Sequence, residues 1–140
     1  MAESVFNHLA QTTAPGLAVA QSAGTASYHV GEWPDYRTLA VLKDKGIHQY
    51  SRARQLTVDD FYTFGYVIAM DRQNLEDLQT IRPKNASSAL RLFGEFGHQA
   101  IPYSEVPDPY YGQLSDFEHV YNLVLGFSKG LLRHIAGHGL

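Results

Sequence analysis

The chain has 140 residues, of which 44% are apolar and 18% charged; it has no cysteine, and eleven Lys and Arg against fourteen Asp and Glu give a formal charge of −3. That length suits one domain around one core, and the composition excludes an intrinsically disordered chain. The charge excludes a surface built for a polyphosphate backbone, so no nucleic-acid partner is expected, while the missing thiols exclude disulfides, thiolate metal sites and a cysteine nucleophile within these residues.

Residues 1–8 lack the basic-then-apolar layout of a signal peptide, and no apolar run approaches membrane-span length, so the cytoplasm and no membrane partner are expected. Residues 2–11 read as a helix with Val5, Phe6 and Leu9 on one side. Residues 17–20 read as a short buried strand, followed by the small-residue loop Ser22, Ala23, Gly24, Thr25. Pro34 and Asp35 open a helix carrying Leu39 and Leu42, with Gly46 as its stop. Thr57 is placed to cap a short turn over Val58 and Phe61.

Residues 66–70 form the clearest strand, rich in β-branched and aromatic side chains. Asp71 follows as N-cap of a helix bearing Leu75 and Leu78, which must end before Pro83. Leu90, Leu92 and Phe93 read as a third strand. Ser115 and Glu118 have capping-box spacing and are expected to open a long helix. Its apolar stripe runs through Phe117, Val120, Tyr121, Val124, Leu125, Leu131, Leu132 and Ile135. Strands alternating with helices imply parallel βαβ units, an α/β fold whose ligands bind beyond the carboxyl ends of the strands. Three loops leave strands there: 22–31, 69–74 and the one reaching 108–112.

The most specific string is Val106-Pro107-Asp108-Pro109-Tyr110-Tyr111-Gly112. It offers a carboxyl beside two prolines, one of which stiffens the loop, with rings next to it. A carboxyl shielded by rings has its neutral form favoured, which suits a general acid. The same string also fits a turn whose Asp caps its own backbone while the tyrosines pack on the surface.

Asp108-Pro109-Tyr110-Tyr111-Gly112 resembles the general-acid loop of the low-molecular-weight protein tyrosine phosphatases. Ser22-Ala23-Gly24-Thr25, Val30-Gly31 and Pro34-Asp35 are similar to that family's second loop and following helix, and Ala53-Arg54-Gln55 to its A-R-Q. Ala69-Met70-Asp71 with Asn74-Leu75 resembles the central strand and helix cap, and Phe117-Glu118 with Val120-Tyr121 the C-terminal helix. The resemblance spans essentially the whole chain and implies a three-layer α/β sandwich with a small parallel sheet of strand order 2-1-3-4, like phosphotyrosine protein phosphatase I. It also implies hydrolysis of a phosphotyrosine protein or aryl phosphate through a cysteinyl-phosphate, without a cofactor. Asp108 would be the general acid, and Tyr28, Tyr110 and Tyr111 would wall the substrate cleft.

Met1-Ala2-Glu3 resembles the triplet that follows the family's C-x-x-x-x-x-R-S-P phosphate loop. The expectation is therefore a chain lacking the inner first strand, the nucleophilic cysteine and the phosphate-gripping arginine, and inactive alone because such groups act non-additively. The loss of an inner strand leads us to expect unpaired strand edges and self-association, or a rearranged sheet. A remnant anion site at the start of the first helix would bind phosphate only weakly. The alternative function is a pseudophosphatase module holding tyrosine-bearing proteins with Tyr28, Tyr110 and Tyr111.

Three positions depart from the family pattern: Ser51 stands where histidine is usual, Tyr28 where tryptophan is common, and Gly65 where an acidic residue is frequent. Ser22 reads as a loop hydrogen-bonder and Asp71 as a helix cap, both supporting rather than catalytic. His134 and His138 have i, i+4 spacing without an acidic partner, so no metal is expected. The G-x-S-x-G elbow of a serine hydrolase is absent.

Overall fold

The computed structural model describes residues 1–25, 30–97, 105–107 and 113–138. Helix α1 spans Ala2–Thr13, two residues beyond the expected end, and buries Val5, Phe6 and Ala10 along one side, with Leu9 half-buried against the core. Helix α2, Tyr36–Asp44, starts at Asp35, whose carboxylate accepts the Arg37 N–H at 2.8 Å, and stops before Gly46, which takes a positive φ of 74°.

The turn near Thr57 is a four-residue helix α3, Asp60–Thr63, with Phe61 fully buried. Its capping runs opposite to expectation. The carboxylate of Asp60 accepts the Thr57 N–H at 2.8 Å, and Val58 is exposed rather than covered.

Strand β1, Tyr66–Ala69, and strand β2, Ala89–Leu92, pair in parallel with Tyr66 opposite Ala89 and Ala69 opposite Leu92. Helix α4, Arg72–Ile81, makes the crossover, so this is one βαβ unit. Side-chain alternation along β1 divides the core. Ile68 and Met70 join α1 and α5 on one face, while Val67 and Ala69 meet Phe61, Leu78 and Leu92 on the other. The molecule is thus α/β in three layers, with α1 and α5 on one side of a small parallel sheet and α3 and α4 on the other.

Two expectations about the sheet are corrected. Residues 17–20 are not a strand; among the described residues the sheet has two strands in the order β1-β2, which are the neighbouring last two of the expected order. The reason is a contact from outside the segment: Asn7 on α1 accepts the Ala20 N–H at 2.8 Å and donates to the Ala20 carbonyl at 3.0 Å. A side-chain amide thereby takes the place of a neighbouring strand, and a groove separates the segment from β1. Phe93 is not in β2 but opens a single 3-10 turn, Phe93–Phe96, where Glu95 reaches back to the Leu92 N–H at 3.0 Å.

Helix α5, Leu114–His138, has 25 residues and runs through the core. The expected Ser115–Glu118 box is not what starts it. Asp116 accepts the Gln113 N–H at 2.7 Å, and its own N–H donates to the Gln113 carbonyl at 3.0 Å, so the reciprocal pair sits two residues earlier. The predicted stripe is buried or half-buried, and Leu123, Phe127 and Ser128 are buried as well. A Phe93–Phe127 edge contact, centroids 5.5 Å apart, locks the 3-10 turn onto α5.

Candidate functional site

The carboxyl end of β1 is where the chain gathers polar groups. Asp71 leaves β1 in extended geometry and its carboxylate accepts the Asn74 N–H at 2.7 Å, which starts α4. Asn74 returns to the strand, its side-chain oxygen accepting the Met70 N–H at 3.1 Å. The Met70 carbonyl accepts the Val106 N–H at 2.8 Å, and Glu105 pairs with Arg72 at 3.2 Å. Residues 105–107 are therefore hung from the end of β1 and the first turn of α4. Asp108, Tyr110 and Tyr111, like Tyr28, lie outside the described residues.

Ser22 comes to the same end from the other side. Its N–H and hydroxyl both donate to Oε1 of Glu3, at 2.8 and 3.2 Å, while the Ser51 hydroxyl donates to Oε2. Glu3 in the first turn of α1 thus fastens two loops at once. Sequence reasoning missed this hub, because nothing in the spacing of residues 3, 22 and 51 signals a shared carboxylate. The hub also bears on the anion expected at the start of α1: a carboxylate already sits at that helix start, and burial pushes the Met1 ammonium pKa down, so less positive charge stands there.

Arg54, marked in the sequence only as part of A-R-Q, forms a forked ion pair with Asp60, at 3.0 and 3.2 Å. Burial pushes the Asp60 carboxyl up, but the Arg54 bonds and the Thr57 N–H outweigh it and hold Asp60 below the ordinary carboxylate range. Asp35 is likewise held low, by its bonds to Arg37. The Arg54 Nε is buried without a hydrogen-bond partner.

Glu3, Ser22, Arg54, Asp60, Asp71 and Pro107 all line one cavity of about 810 Å³ that continues along β1 between the sheet and residues 17–20. Beside it, the Arg52 guanidinium lies 4.3 Å from the centre of the Trp33 ring, and Tyr50 meets Trp33 edge-on at 5.8 Å. This exposed cluster was not marked in the sequence either, because it joins positions nearly twenty residues apart.

His134 packs between the Tyr66 and Phe96 rings, with centroids 5.9 and 5.2 Å away. Among the described residues no group of three or more His, Asp or Glu is placed to hold a metal, and no helix is long and apolar enough to cross a membrane.

The family profile described as "Low molecular weight phosphotyrosine protein phosphatase" matches residues 1–138. Proteins of that name are similar to this chain in Schizosaccharomyces pombe, 39% identical over 97% of this chain and 88% of the relative, and in Homo sapiens, 40% identical over 86% and 77%. Among solved structures, a protein tyrosine phosphatase from Entamoeba histolytica superposes with a TM-score of 0.92 and 31% identity, over 99% of this chain and 89% of that one. A low molecular weight phosphotyrosine phosphatase from Vibrio cholerae O395 gives 0.86 and 30%, over 99% and 89%.

Proposed function

The chain belongs to the low molecular weight phosphotyrosine protein phosphatase family, and on that premise we propose that its site is the leaving-group half of a phosphotyrosine or aryl-phosphate hydrolase. Asp108 is the general acid in this reading. Its carboxyl passes a proton to the bridging oxygen as the phosphorus–oxygen bond breaks, so the phenol departs neutral. Tyr28, Tyr110 and Tyr111 wall the cleft around the departing ring, and Ser22 and Asp71 hold the loops. The observation that carries the reading is the Val106 N–H bond to the Met70 carbonyl, which holds the segment just before Asp108 in sequence at the carboxyl end of β1.

The other half of the chemistry needs a thiolate to receive the phosphoryl group, and these 140 residues contain no cysteine. We therefore expect this polypeptide alone not to turn over substrate. The test is p-nitrophenyl phosphate hydrolysis by the purified 140-residue protein beside its Asp108→Asn variant. The expected result is no rate above buffer for either; repeated turnover by the parent protein overturns it. The setting of this reading is the cytoplasm. Its partners are a phosphotyrosine protein or aryl phosphate at the cleft, and further copies of the chain associating through unpaired strand edges. Sedimentation across a wide concentration range tests the second.

A further inference from the structure

We propose that a pocket between α1 and residues 49–51, prolonged by the side chains of Tyr50, Trp33 and Arg52, is a docking groove for a proline-rich segment of another protein. The segment lies in the polyproline II conformation and carries a carboxylate where it meets Arg52. Such binding needs no phosphoryl chemistry, so the outcome of a phosphatase assay leaves it untouched.

The pocket holds about 490 Å³, and no residue of β1 stands in its wall. Ala14, Pro15, Ala18 and Val19 give it small apolar sides, and Tyr50 also lines it. Trp33 meets Tyr50 edge-on at 83°, with centroids 5.8 Å apart. Val19, Trp33 and Tyr50 are 71, 55 and 45% exposed, so apolar surface continues from the pocket along the two rings. Single exposed apolar residues are ordinary, but a joined run beside a pocket marks an interaction surface. Two rings at a right angle leave a notch that suits the flat face of a pyrrolidine ring, the contact by which aromatic-lined grooves take proline-rich segments.

The polar groups fit the same occupant. Prolines bring carbonyls without N–H groups, and a polyproline II backbone has no internal hydrogen bonds, so its carbonyls seek donors. The Gln49 side-chain oxygen accepts from Gln11 at 2.9 Å, which leaves the Gln49 amide N–H groups open toward a carbonyl. Glu3 is the charged residue of the pocket wall, and both its oxygens already accept bonds from Ser22 and Ser51. The charge on offer is therefore Arg52. Its guanidinium lies 4.3 Å from the centre of the Trp33 ring and makes no ion pair among the described residues. A carboxylate on the occupant complements it. The surface is also held ready. Gln49 and Ser51 are each tied to α1, on either side of Tyr50. The Gly31 N–H donates to the Ala53 carbonyl at 2.7 Å and the Ala53 N–H to the Glu32 carbonyl at 2.8 Å, which sets Trp33 beside Arg52. A fixed groove and an already extended segment lose little freedom on meeting.

The probe is the synthetic peptide Ala-Pro-Pro-Leu-Pro-Pro-Glu, blocked at both termini and titrated into the 140-residue protein. Trp33 is the single tryptophan of the chain, so its fluorescence reads the site directly. A saturable change in Trp33 emission is expected, with the same midpoint by calorimetry. Replacing the four prolines by alanine is expected to weaken binding by about tenfold or more, because the ordering of the chain then falls on the binding step. Arg52→Glu is expected to weaken the peptide by about tenfold or more and to strengthen one ending in Lys by a similar factor. That gain for the Lys peptide separates lost charge from lost folding. No change in fluorescence or heat, equal binding of the alanine peptide, or a charge reversal that leaves both peptides unmoved would each overturn the proposal. So would sedimentation showing a self-association that buries Trp33 and that the peptide does not displace, since the surface would then belong to a second copy.

Discussion

Gly130 of α5 passes directly beneath the carbonyl oxygen of Phe96: a Cβ at Gly130 would lie 1.7 Å from that oxygen and 2.7 Å from its carbon. The close approach seats the 3-10 turn on α5, and the obstacle is backbone, which cannot swing aside. Gly126 and Gly137, on the same helix, would place a Cβ in open space.

Gly130→Ala is therefore expected to destabilise the protein by at least about 1–3 kcal/mol, the cost of an overpacked contact. Gly126→Ala should do the reverse, stabilising by up to about 1 kcal/mol through helix propensity. Urea unfolding midpoints of the two variants distinguish them; equal shifts would remove the Phe96 contact as the cause.

Asp60 carries a stability term that depends on pH. Its folded-state pKa lies below the ordinary carboxylate value, so the term is fully present above that value and is lost as pH falls through the folded one. Asp60→Asn breaks the Arg54 fork and should cost about 1–3 kcal/mol at neutral pH. The gap between parent and variant should close once the pH drops well below about 4. Thermal unfolding at a series of pH values reads it, and a gap that stays constant into acid would contradict the assignment.

Asn7 makes two hydrogen bonds to Ala20, one as donor and one as acceptor. Asn7→Ala should lose about 1–3 kcal/mol and release the Ala20 amide to faster exchange. Asn7→Asp keeps the acceptor for the Ala20 N–H but turns an oxygen toward its carbonyl, so it should fall between the two in exchange rate.

Glu3→Ala should behave differently, because its bonds to Ser22 and Ser51 lie at an exposed site. Global stability is expected to change by less than about 1 kcal/mol. The Ser22 amide resonance should nevertheless shift and exchange faster. A large loss of stability with no change at Ser22 would show that Glu3 acts through the helix instead.

What the sequence made legible follows from which forces are local. The Asp71 cap and the gly-stopped α2 depend on neighbours within a few residues, and both are found where the spacing put them. The α5 stripe is likewise a matter of helical period, though Leu123 and Phe127 are buried beyond it because this helix is enclosed on more than one side. Residues 17–20 have a strand's composition but are claimed by Asn7, thirteen positions from Ala20, a competition that no propensity contains. Of the candidate site, the capping role of Asp71 could be read locally. The Glu3 hub and the Arg54–Asp60 fork could not, since each depends on how separate loops meet in space.

The clasp between Asn7 and Ala20 ties one flank of the molecule to a helix rather than to the sheet. Since α1 is anchored on α5 through Val5 and Phe6, that flank keeps its station whatever happens along β1. The cleft is consequently propped open from outside, like a doorway whose jamb is fixed to the wall and not to the door, and filling it would demand little rearrangement of its frame.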